Sequence, residues 1–391
     1  MRVGTAMYLA NYGDWERYDK NEFDRPPDVP DHQVYDEGVL RLGSLVEPLG
    51  FDSVWSVEHH FNPYTMIPDP LQLLTFFAGR TERVDLGTCV IVLPWHNPVE
   101  IAEKICVLDC LLSGRKLRLG FGRGAGRVEY GGFNIPMGES RDRFNEALDV
   151  IRLGLTTERF SYEGTYYQVK DISIRPRPLS SDLLDRMYMA WGSPSSVTIA
   201  ADLDLKPLII PQKTWDEISS EMSAYNTARA TRGLGPERPI VGGFVICADT
   251  HDEAYRLALR HLPESLDNAL RNYELRDAAH FAEAGGYEYY AKMAEMMARV
   301  PTDDLLSGAD MKTHGELTRG ILGGIFEYNV WGTPDECIAK LAVMNETLNP
   351  TEYIAAFYSP GAMSADHAER SMTLFSEEVL PALHAWEPGA P

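Results

Sequence analysis

Two adjacent histidines follow a short apolar stretch whose composition is typical of a β-strand. The stretch at 51–57 leads into Glu58, His59, His60 and Phe61. Histidine changes its charge near neutral pH, which suits its side chain to proton transfer. Because neighbouring side chains of an extended chain point to opposite faces, only one of the two histidines should face a common pocket. The competing interpretation is that both rings are structural and bind backbone groups.

A second candidate site is a glycine-rich run with two arginines, Gly120-Phe-Gly-Arg-Gly-Ala-Gly-Arg127. Glycine lets the backbone approach a ligand closely, and arginine binds phosphate oxygens through charge-assisted hydrogen bonds. Arg123, Gly124 and Arg127 are therefore predicted ligands of a phosphate-bearing cofactor. The run also matches a loose GxGxxA dinucleotide-binding pattern, but the strand with a terminal acidic residue that this pattern requires does not follow.

A β-branched run at 84–93 is followed by Trp95 and His96, which predict a pocket for a flat ligand. The alternative is a strand end with a chance aromatic residue. Cys89 lies within the run and has no basic neighbour in the sequence, so it is a poor candidate for a nucleophile.

A turn of small residues, Ala190-Trp-Gly-Ser-Pro-Ser-Ser196, lies between another strand pattern and a helical one. The free N–H groups at the start of a helix attract anions. Ser193 is therefore predicted to bind the same phosphate as Arg123. An ordinary helix cap would use the same residue types.

The formal net charge of -22, from 36 basic and 58 acidic residues, narrows the possible partners. A strongly negative surface repels nucleic acids and anionic membranes, so a phosphate-bearing cofactor needs local cations. The five cysteines include no CxxC pair, and neither a disulfide framework nor a metal site is expected. The chain begins on a strand-like run without a signal peptide and has no apolar stretch long enough to span a membrane, which predicts a soluble cytoplasmic protein.

Strand-like and helix-like patterns alternate along the chain and place these motifs at strand ends. The predicted strands occupy eight stretches: 2–9, 51–57, 84–93, 116–121, 187–190, 207–210, 240–248 and 353–357. Short apolar strands separated by helices imply a parallel sheet, and eight such units favour a closed (β/α)8 TIM barrel of the α/β class. We predict a single domain over 1–391, with a polar loop insertion at 11–33, an irregular stretch at 159–185 and a helical insertion at about 252–330.

Taken in order, these motifs resemble the bacterial luciferase-like family of flavin-dependent monooxygenases. The segments that carry the resemblance are GFDSVWSVEHHF (50–61), LGTCVIVLPWHNPV (86–99), LGFGRG (119–124), AWGSPSS (190–196) and GTPDEC (332–337). They span nearly the whole chain, and their order is more specific than any single segment. The resemblance implies a barrel, usually dimeric, that holds reduced FMN at its mouth.

The resemblance also implies roles for individual residues. His59 takes the position of the histidine that takes part in proton chemistry, and Arg123 and Ser193 take the positions of phosphate ligands. A cis peptide bond between Cys89 and Val90 is expected beneath the flavin. Aromatic side chains near the strand ends are expected to line the substrate pocket with His96 or to keep it dry: Trp55, Tyr64, Trp95 and Trp191.

Two positions depart from the luciferase pattern. Gly122 replaces the reactive cysteine that precedes the arginine, so light emission from an aldehyde is not expected. Trp191 stands where luciferase has a glutamate, and it is expected to shape the cavity or to stack near the flavin.

The function that this resemblance implies is a two-component monooxygenase. A separate flavin reductase supplies reduced FMN, O2 forms a flavin hydroperoxide, and a homodimeric enzyme oxidises a small organic substrate. Two alternatives share the fold: a deazaflavin-dependent hydride-transfer oxidoreductase, and a non-catalytic subunit that binds no flavin. A dinucleotide-binding dehydrogenase is a more distant alternative. The motifs do not distinguish hydroxylation, Baeyer–Villiger insertion and N-oxidation.

Overall fold

A parallel barrel of eight strands forms the centre of the computed structural model, which describes residues 1–210, 212–358 and 361–386. The strands are β1 (Arg2–Met7), β2 (Ser53–Ser56), β3 (Asp85–Val92), β4 (Leu117–Gly122), β5 (Phe160–Glu163), β6 (Gln168–Ile172), β7 (Met187–Ala190), β8 (Lys206–Ile209), β9 (Ile240–Cys247), β10 (Val330–Gly332) and β11 (Glu352–Ala356). Around the barrel the order is β1-β2-β3-β4-β7-β8-β9-β11, and β11 pairs with β1 to close it. The predicted TIM barrel and its eight predicted strands are confirmed.

Helices form the connections between the barrel strands and pack around them. They are α1 (Trp15–Asp19), α2 (Asp31–Tyr35), α3 (Gly43–Leu45), α4 (Pro70–Ala78), α5 (Pro98–Leu111), α6 (Arg127–Gly132), α7 (Ser140–Thr156), α8 (Pro194–Asp202), α9 (Trp215–Thr231), α10 (His251–Asn272), α11 (Ala279–Ala284), α12 (Glu288–Met297), α13 (Thr302–Leu305), α14 (Glu316–Tyr328), α15 (Pro334–Leu348), α16 (Ala365–Leu374) and α17 (Leu380–His384). The π-helical segment Asp36–Leu42 joins α2 to α3, and Phe375–Val379 joins α16 to α17. Within the described residues we find no helix with the length and apolar character needed to cross a membrane.

Short sequence signals set where the connecting helices begin. Asn97 caps α5 by accepting the Val99 N–H, with a proline in the first turn. Thr333 and Glu336 form a capping box at the start of α15. These caps fix the points at which the chain leaves one strand for the next helix.

The amino-terminal end of the barrel is filled by a buried polar cluster around Glu352. Trp55 donates its indole N–H to Glu352 Oε1 at 3.0 Å, and Arg118 lies 3.5 Å from Oε2. Asp85 pairs with Arg118 at 3.1 Å, so the buried charges compensate one another. Trp55 therefore fills the barrel floor. The sequence had suggested that Trp55 shields a site near the strand ends, but the structure places it at the opposite end of the barrel.

The structure also corrects two predictions about the connections and adds one strand that the sequence analysis did not identify. Residues 159–185, predicted to be irregular, include the antiparallel hairpin of β5 and β6. These strands are short and largely exposed, so their pattern is hard to separate from a loop. The segment 11–33 holds the short helix α1 rather than loop alone, and β10 was not predicted. The region 252–330 contains α10 to α14, as its helical patterns indicate.

Gly120 in β4 is expected not to tolerate a side chain, because a Cβ there would collide with the Thr88 carbonyl oxygen of the paired strand β3. We expect Gly120→Ala to lower the free energy of unfolding by about 3 kcal/mol. Gly131→Ala in α6, where nothing lies within 4 Å of the added Cβ, should change it by less than about 1 kcal/mol. Urea unfolding measures both effects, and equal losses would contradict this account of the β3–β4 contact.

Candidate active site

The carboxyl ends of the barrel strands surround an accessible lumen. Most side chains of these strands are buried. The partly exposed side chains, in the strands or in the residues that follow them, face the lumen: Ala6, Tyr8, Val57, His59, Val90, Ala190 and Phe244. An apolar cluster fills the interior beneath, formed by Trp55, Cys89, Tyr188, Leu208, Ile240 and Ile354. A ligand can therefore enter at the carboxyl end, where barrel enzymes generally carry their active sites.

His59 lies at this rim and is held by the buried carboxylate of Glu129 in α6. Its Nδ1 is 2.9 Å from Glu129 Oε1, which also accepts the backbone N–H of His60 at 3.0 Å. A carboxylate only accepts hydrogen bonds, so the His59 proton lies on Nδ1 and Nε2 is an acceptor. The Tyr273 hydroxyl is 3.2 Å from Nε2. His59 can thus gain a proton on Nε2 while Glu129 stabilises the charge that results.

The His60 ring belongs to a second cluster, built on the buried carboxylate of Glu58. Glu58 accepts the Val92 N–H at 2.8 Å and contacts His60 Nε2 at 3.1 Å and His96 Nε2 at 2.6 Å. Burial alone would raise the pKa of Glu58, but these hydrogen bonds and the His96 charge outweigh it and lower that pKa. Burial alone would lower the pKa of His96, but Glu58 raises it overall. The two adjacent histidines therefore have different partners, in line with the alternation expected from an extended chain.

Arg123 follows β4, and its guanidinium makes no ion pair with a described residue. Its Nη1 is 3.4 Å from Ser140 Oγ, and its Nη2 donates to the Gly286 carbonyl at 2.7 Å. The guanidinium lies over the Tyr287 ring, 3.9 Å from the centroid, and the Tyr287 hydroxyl donates to the Gly124 carbonyl at 2.9 Å. In a chain with 58 acidic residues, a cation without an acidic partner is available to an anionic ligand.

Arg141, at the start of α7, provides a second cation that sequence reasoning missed. Its Nη2 donates to Ser196 Oγ at 3.2 Å, and its Nη1 is buried without a hydrogen-bond partner among the described residues. Burial, followed by the charge of Arg123, lowers the pKa of Arg141 to about 10. Ser196 Oγ lies 2.9 Å from Ser193 Oγ at the start of α8. Two arginines that repel each other beside two hydroxyls form a cluster that fits the phosphate group of a bound cofactor.

Two residues predicted to bind the cofactor are engaged elsewhere. Arg127 forms an ion pair with Glu274 at 2.5 Å. Trp191 donates its indole N–H to Glu221 in α9 at 3.2 Å. The alternation along β7 turns Trp191 toward the outer helices, whereas Ala190 contributes to the interior cluster. The geometry therefore does not favour a flavin contact by either Arg127 or Trp191.

The three residues predicted to line the substrate pocket do not lie together in the structure. The Tyr64 ring lies 4.6 Å from that of His59, at the rim of the lumen. Trp95 instead packs on Phe133, with ring centroids 5.9 Å apart, in a cluster that includes the end of β3. His96 is held by Glu58, as described above. Tyr64 is therefore the predicted pocket residue that lies beside His59.

The peptide bond between Cys89 and Val90 is cis, as predicted. Val90 is partly exposed in the lumen and contacts Gly122 of β4, where a Cβ would lie 2.6 Å from Val90 Cγ2. A cysteine at position 122 would therefore require Val90 to move. Burial raises the pKa of the Cys89 thiol to about 12, so this thiol is neutral near pH 7 and is not a nucleophile.

A surface cavity of about 480 Å³ lies between α10 and α16, away from these residues. Its charged side chains already form ion pairs, including Arg41 with Asp366 at 2.7 Å and Arg370 with Asp249 at 2.6 Å. The cations of this cavity are thus neutralised, unlike Arg123 and Arg141. We therefore place the candidate site at the barrel mouth.

The chain belongs to the luciferase-like monooxygenase family, whose model matches residues 25–349. This membership makes it a flavin-dependent oxidoreductase. Over 364 residues it is 25% identical to the alkanal monooxygenase alpha chain of Photorhabdus luminescens, covering 92% of this chain and 95% of that protein. Over 135 residues it is 37% identical to the protein y4vJ of Sinorhizobium fredii, covering 34% of this chain and 38% of that protein.

Solved structures share the fold over almost the whole chain. Monooxygenase RslO1 from Streptomyces bottropensis is 25% identical with a TM-score of 0.71, covering 98% of this chain and 100% of its own. The oxygenating constituent of 3,6-diketocamphane monooxygenase from Pseudomonas putida, solved with FMN, is 22% identical with a TM-score of 0.68 and coverages of 97% and 98%. The coenzyme F420 dependent tetrahydromethanopterin reductase of Methanopyrus kandleri is 16% identical with a TM-score of 0.65 and coverages of 98% and 99%. The last two likenesses establish the fold alone.

Glu58→Gln is expected to destabilise the protein, because two histidine rings and a backbone N–H lose a buried charged acceptor. Breaking a buried ion pair from one side costs about 3 kcal/mol of unfolding free energy. Glu100→Gln, which removes an exposed ion pair with Lys104, should cost less than about 1 kcal/mol. Urea unfolding of the two variants provides the comparison.

The effect of Glu58→Gln should also depend on pH. The pKa of Glu58 is lower in the folded protein than in the unfolded chain, where it is about 4.3. The stability that the Glu58 carboxylate contributes is therefore complete above about pH 4.3 and is lost as the pH falls through the folded pKa. The pKa of His96 is higher in the folded protein than in the unfolded chain, where it is about 6.5. The stability that protonated His96 contributes is therefore complete below about pH 6.5 and is lost as the pH rises through the folded pKa. The difference between wild type and variant should be largest between about pH 4.3 and 6.5. A difference that is constant with pH would count against the Glu58–His96 pair as its source.

Proposed function

We propose that this chain is the oxygenase component of a two-component system, which binds reduced FMN and uses O2 to oxidise a small organic substrate. Family membership and the barrel support flavin chemistry, and the cations at the rim support a flavin that carries phosphate. The observation that carries the proposal is the buried, unpartnered Nη1 of Arg141, close to Arg123 and to the serines at the start of α8. A dianionic phosphate would satisfy this cluster in an otherwise acidic protein.

In this proposal each part of the rim has a separate task. Reduced flavin, when bound, supplies the electrons that activate O2. Arg123, Arg141 and Ser193 hold the phosphate, and the backbone at Cys89–Val90 forms a surface for the ring system. His59 exchanges a proton with the reacting groups through Nε2, backed by Glu129. The aromatic side chains around His59 keep water out of the site.

A deazaflavin-dependent oxidoreductase is the alternative that shares this fold, and such a protein is among the structural neighbours. A phosphate cluster by itself does not separate the two, because both kinds of coenzyme carry phosphate. Their reactions with O2 do separate them, and the oxygen experiment below uses this difference.

We propose that a separate flavin reductase delivers the reduced FMN, that the chain acts as a homodimer in the cytoplasm, and that it forms one barrel domain with two insertions. The net charge of -22 supports a protein that remains soluble and does not bind nucleic acid or anionic membranes.

Arg141→Gln is expected to weaken FMN binding about 10- to 100-fold, because a charge-assisted hydrogen bond to phosphate contributes about 1.5–3 kcal/mol. Riboflavin lacks the phosphate, so its weaker affinity should be the same for both proteins. Arg127→Gln is the matched control and should leave FMN affinity unchanged, since Arg127 pairs with Glu274. Quenching of flavin fluorescence measures each dissociation constant. If Arg141→Gln weakens FMN and riboflavin equally, the phosphate assignment is wrong.

The reaction with O2 tests the oxygenase proposal itself. Reduced FMN is mixed anaerobically with excess protein and then exposed to O2, and O2 uptake and H2O2 release are followed separately. We expect O2 uptake to precede H2O2 release when the protein is present, because the closed site keeps water from the reacting groups. Free reduced FMN, the control, should show the two events together. Simultaneous events with the protein present, or reduced flavin that does not react with O2, would overturn the proposal.

A further inference from the structure

The Tyr273 hydroxyl occupies the nitrogen atom through which His59 would exchange a proton. Its oxygen lies 3.2 Å from His59 Nε2, and the two rings pack edge-on with centroids 5.6 Å apart. Tyr273 directly follows α10, so it belongs to the helical insertion at 252–330 and not to a barrel strand. The His59 side chain is 13% exposed, and Tyr273 is also partly exposed. The insertion thus adds a second, accessible proton-carrying group beside the histidine that follows β2.

Glu129 determines which nitrogen of His59 carries the hydrogen. Its Oε1 lies 2.9 Å from Nδ1, so Nδ1 carries the hydrogen and Nε2 accepts from the Tyr273 hydroxyl. The Asn272 amide nitrogen also approaches Nδ1, but only to 3.5 Å, and the Asn272 side chain accepts a 2.7 Å hydrogen bond from Asn62. The shorter, charge-assisted contact with Glu129 therefore sets the tautomer.

Glu129, His59 and Tyr273 form a carboxylate–imidazole–hydroxyl triad in which every hydrogen bond runs in the same direction. Glu129 accepts from His59, and His59 accepts from Tyr273. Because the hydroxyl hydrogen of Tyr273 is directed to His59, its oxygen can present a lone pair to a ligand. Tyr64, at the rim of the lumen, packs against both rings, with centroids 4.6 Å from His59 and 5.6 Å from Tyr273. A ligand at this rim that reaches Tyr273 therefore meets a hydrogen-bond acceptor, which an O–H group of the ligand satisfies.

We propose that Tyr273 is a catalytic residue, which takes the proton of a substrate hydroxyl and passes its own proton to His59. The proposal rests on the proposed function, since it describes how that same pocket activates its substrate. The substrate O–H bond breaks as its proton passes to the Tyr273 oxygen. The Tyr273 O–H bond breaks as its proton forms an N–H bond at His59 Nε2. The substrate becomes an oxyanion and His59 an imidazolium, Tyr273 ends neutral, and no electrons move.

The surroundings of the triad favour this distribution of protons. Burial raises the pKa of Tyr273 well above its ordinary range, so Tyr273 does not remain ionised near pH 7. The Glu129 side chain is fully buried, and its Oε2 has no hydrogen-bond partner among the described residues. A buried carboxylate with unused acceptor capacity stabilises a positive charge that forms beside it. The positive charge is therefore favoured on His59, next to Glu129.

The final acceptor restricts the class of substrate. An ordinary phenol has a pKa of about 10 and an imidazolium about 6.5, so an unmodified phenol would hold its proton. Transfer becomes favourable when the pKa of the substrate hydroxyl approaches that of the acceptor. The wall beside the triad is aromatic, since Tyr8 lies edge-on to Tyr64 and to Phe244, with centroids 5.5 Å and 5.7 Å apart. The substrate class is therefore flat phenols or enols whose hydroxyl is acidified by a conjugated carbonyl group.

The ionisation of bound 4-nitrophenol, an acidified phenol, tests the transfer without flavin turnover. The probe is added at slightly acidic pH, where free 4-nitrophenol is mostly protonated, and the phenolate absorption band of the bound probe is measured. Saturating inorganic phosphate occupies Arg123 and Arg141, so that these cations do not hold the phenolate. The wild-type protein is expected to bind the probe largely as its anion. 4-Nitroanisole has a similar ring without an O–H group, so its affinity, measured by equilibrium dialysis, reports binding alone.

Tyr273→Phe removes the hydroxyl and retains the ring. It is expected to lower the ionised fraction of bound 4-nitrophenol about tenfold, the effect of roughly one hydrogen bond to a charged group, and to leave the affinity for 4-nitroanisole unchanged. Tyr289→Phe is the matched control and should behave as wild type, because Tyr289 in α12 lies over Lys213 and outside the triad. Circular dichroism and thermal unfolding show whether each variant is folded. Tyr273→Leu, which also lacks the hydroxyl, replaces Tyr273→Phe if that variant is not.

Three results would refute the catalytic role of Tyr273: wild-type ionisation of the probe in folded Tyr273→Phe, a wild-type protein that binds 4-nitrophenol only in its neutral form or not at all, or a loss of 4-nitroanisole affinity in Tyr273→Phe, which indicates a structural role. An FMN titration separates this proposal from the proposed function, since Tyr273→Phe should bind FMN as tightly as wild type. A wild-type chain that ionises 4-nitrophenol but does not bind FMN would defeat the oxygenase proposal and leave the role of Tyr273 standing.

Discussion

Closure of the parallel barrel is the constraint on which the rest of the site depends. Because β8 pairs with β9 and β11 with β1, the strands end together at one rim. Residues from distant parts of the sequence meet there: His59 follows β2, Arg123 follows β4 and Ser193 follows β7. The opposite end is closed by the polar cluster around Glu352, so ligands have access from the rim.

The rim carries positive charge without acidic partners, although the chain as a whole is acidic. Acidic residues outnumber basic ones, 58 to 36, and most arginines that the structure describes have a carboxylate partner. Arg123 and Arg141 do not, and their mutual repulsion is relieved when an anion binds between them. The histidines, in contrast, have buried carboxylate partners. Glu58 contacts His60 and His96, and Glu129 contacts His59. The site thus keeps one region ready for an anion and another ready for a proton.

The sequence was sufficient for features that depend on local pattern. Alternating apolar stretches located the barrel strands, and strand-end motifs located His59, Arg123 and Ser193. The cis bond at Cys89–Val90 followed from the family resemblance. The direction in which a side chain points was harder to predict. Trp191 lies in the expected turn, but the alternation of β7 directs its ring outward to α9.

Contacts between distant segments could not be predicted from one sequence. Glu129 lies 70 residues after His59, and Tyr273 lies 214 residues after it. Nothing near Tyr273 marks it as a site residue, since it follows a long helix in the insertion at 252–330. Arg141 stands in the first turn of a helix, but this position does not mark a site residue, because many surface helices carry an arginine there. What distinguishes it is a buried Nη1 without a partner next to the charge of Arg123 and the hydroxyl of Ser196, and only the structure shows these neighbours.

The crystal structure of the FMN complex tests the central claim most directly. We expect the phosphate to lie between Arg123 and Arg141, with one phosphate oxygen accepting from Arg141 Nη1 and another from Ser193, and the ring system to lie against Cys89–Val90. A phosphate bound at another place, or a complex in which Arg141 Nη1 remains without a partner, would contradict it.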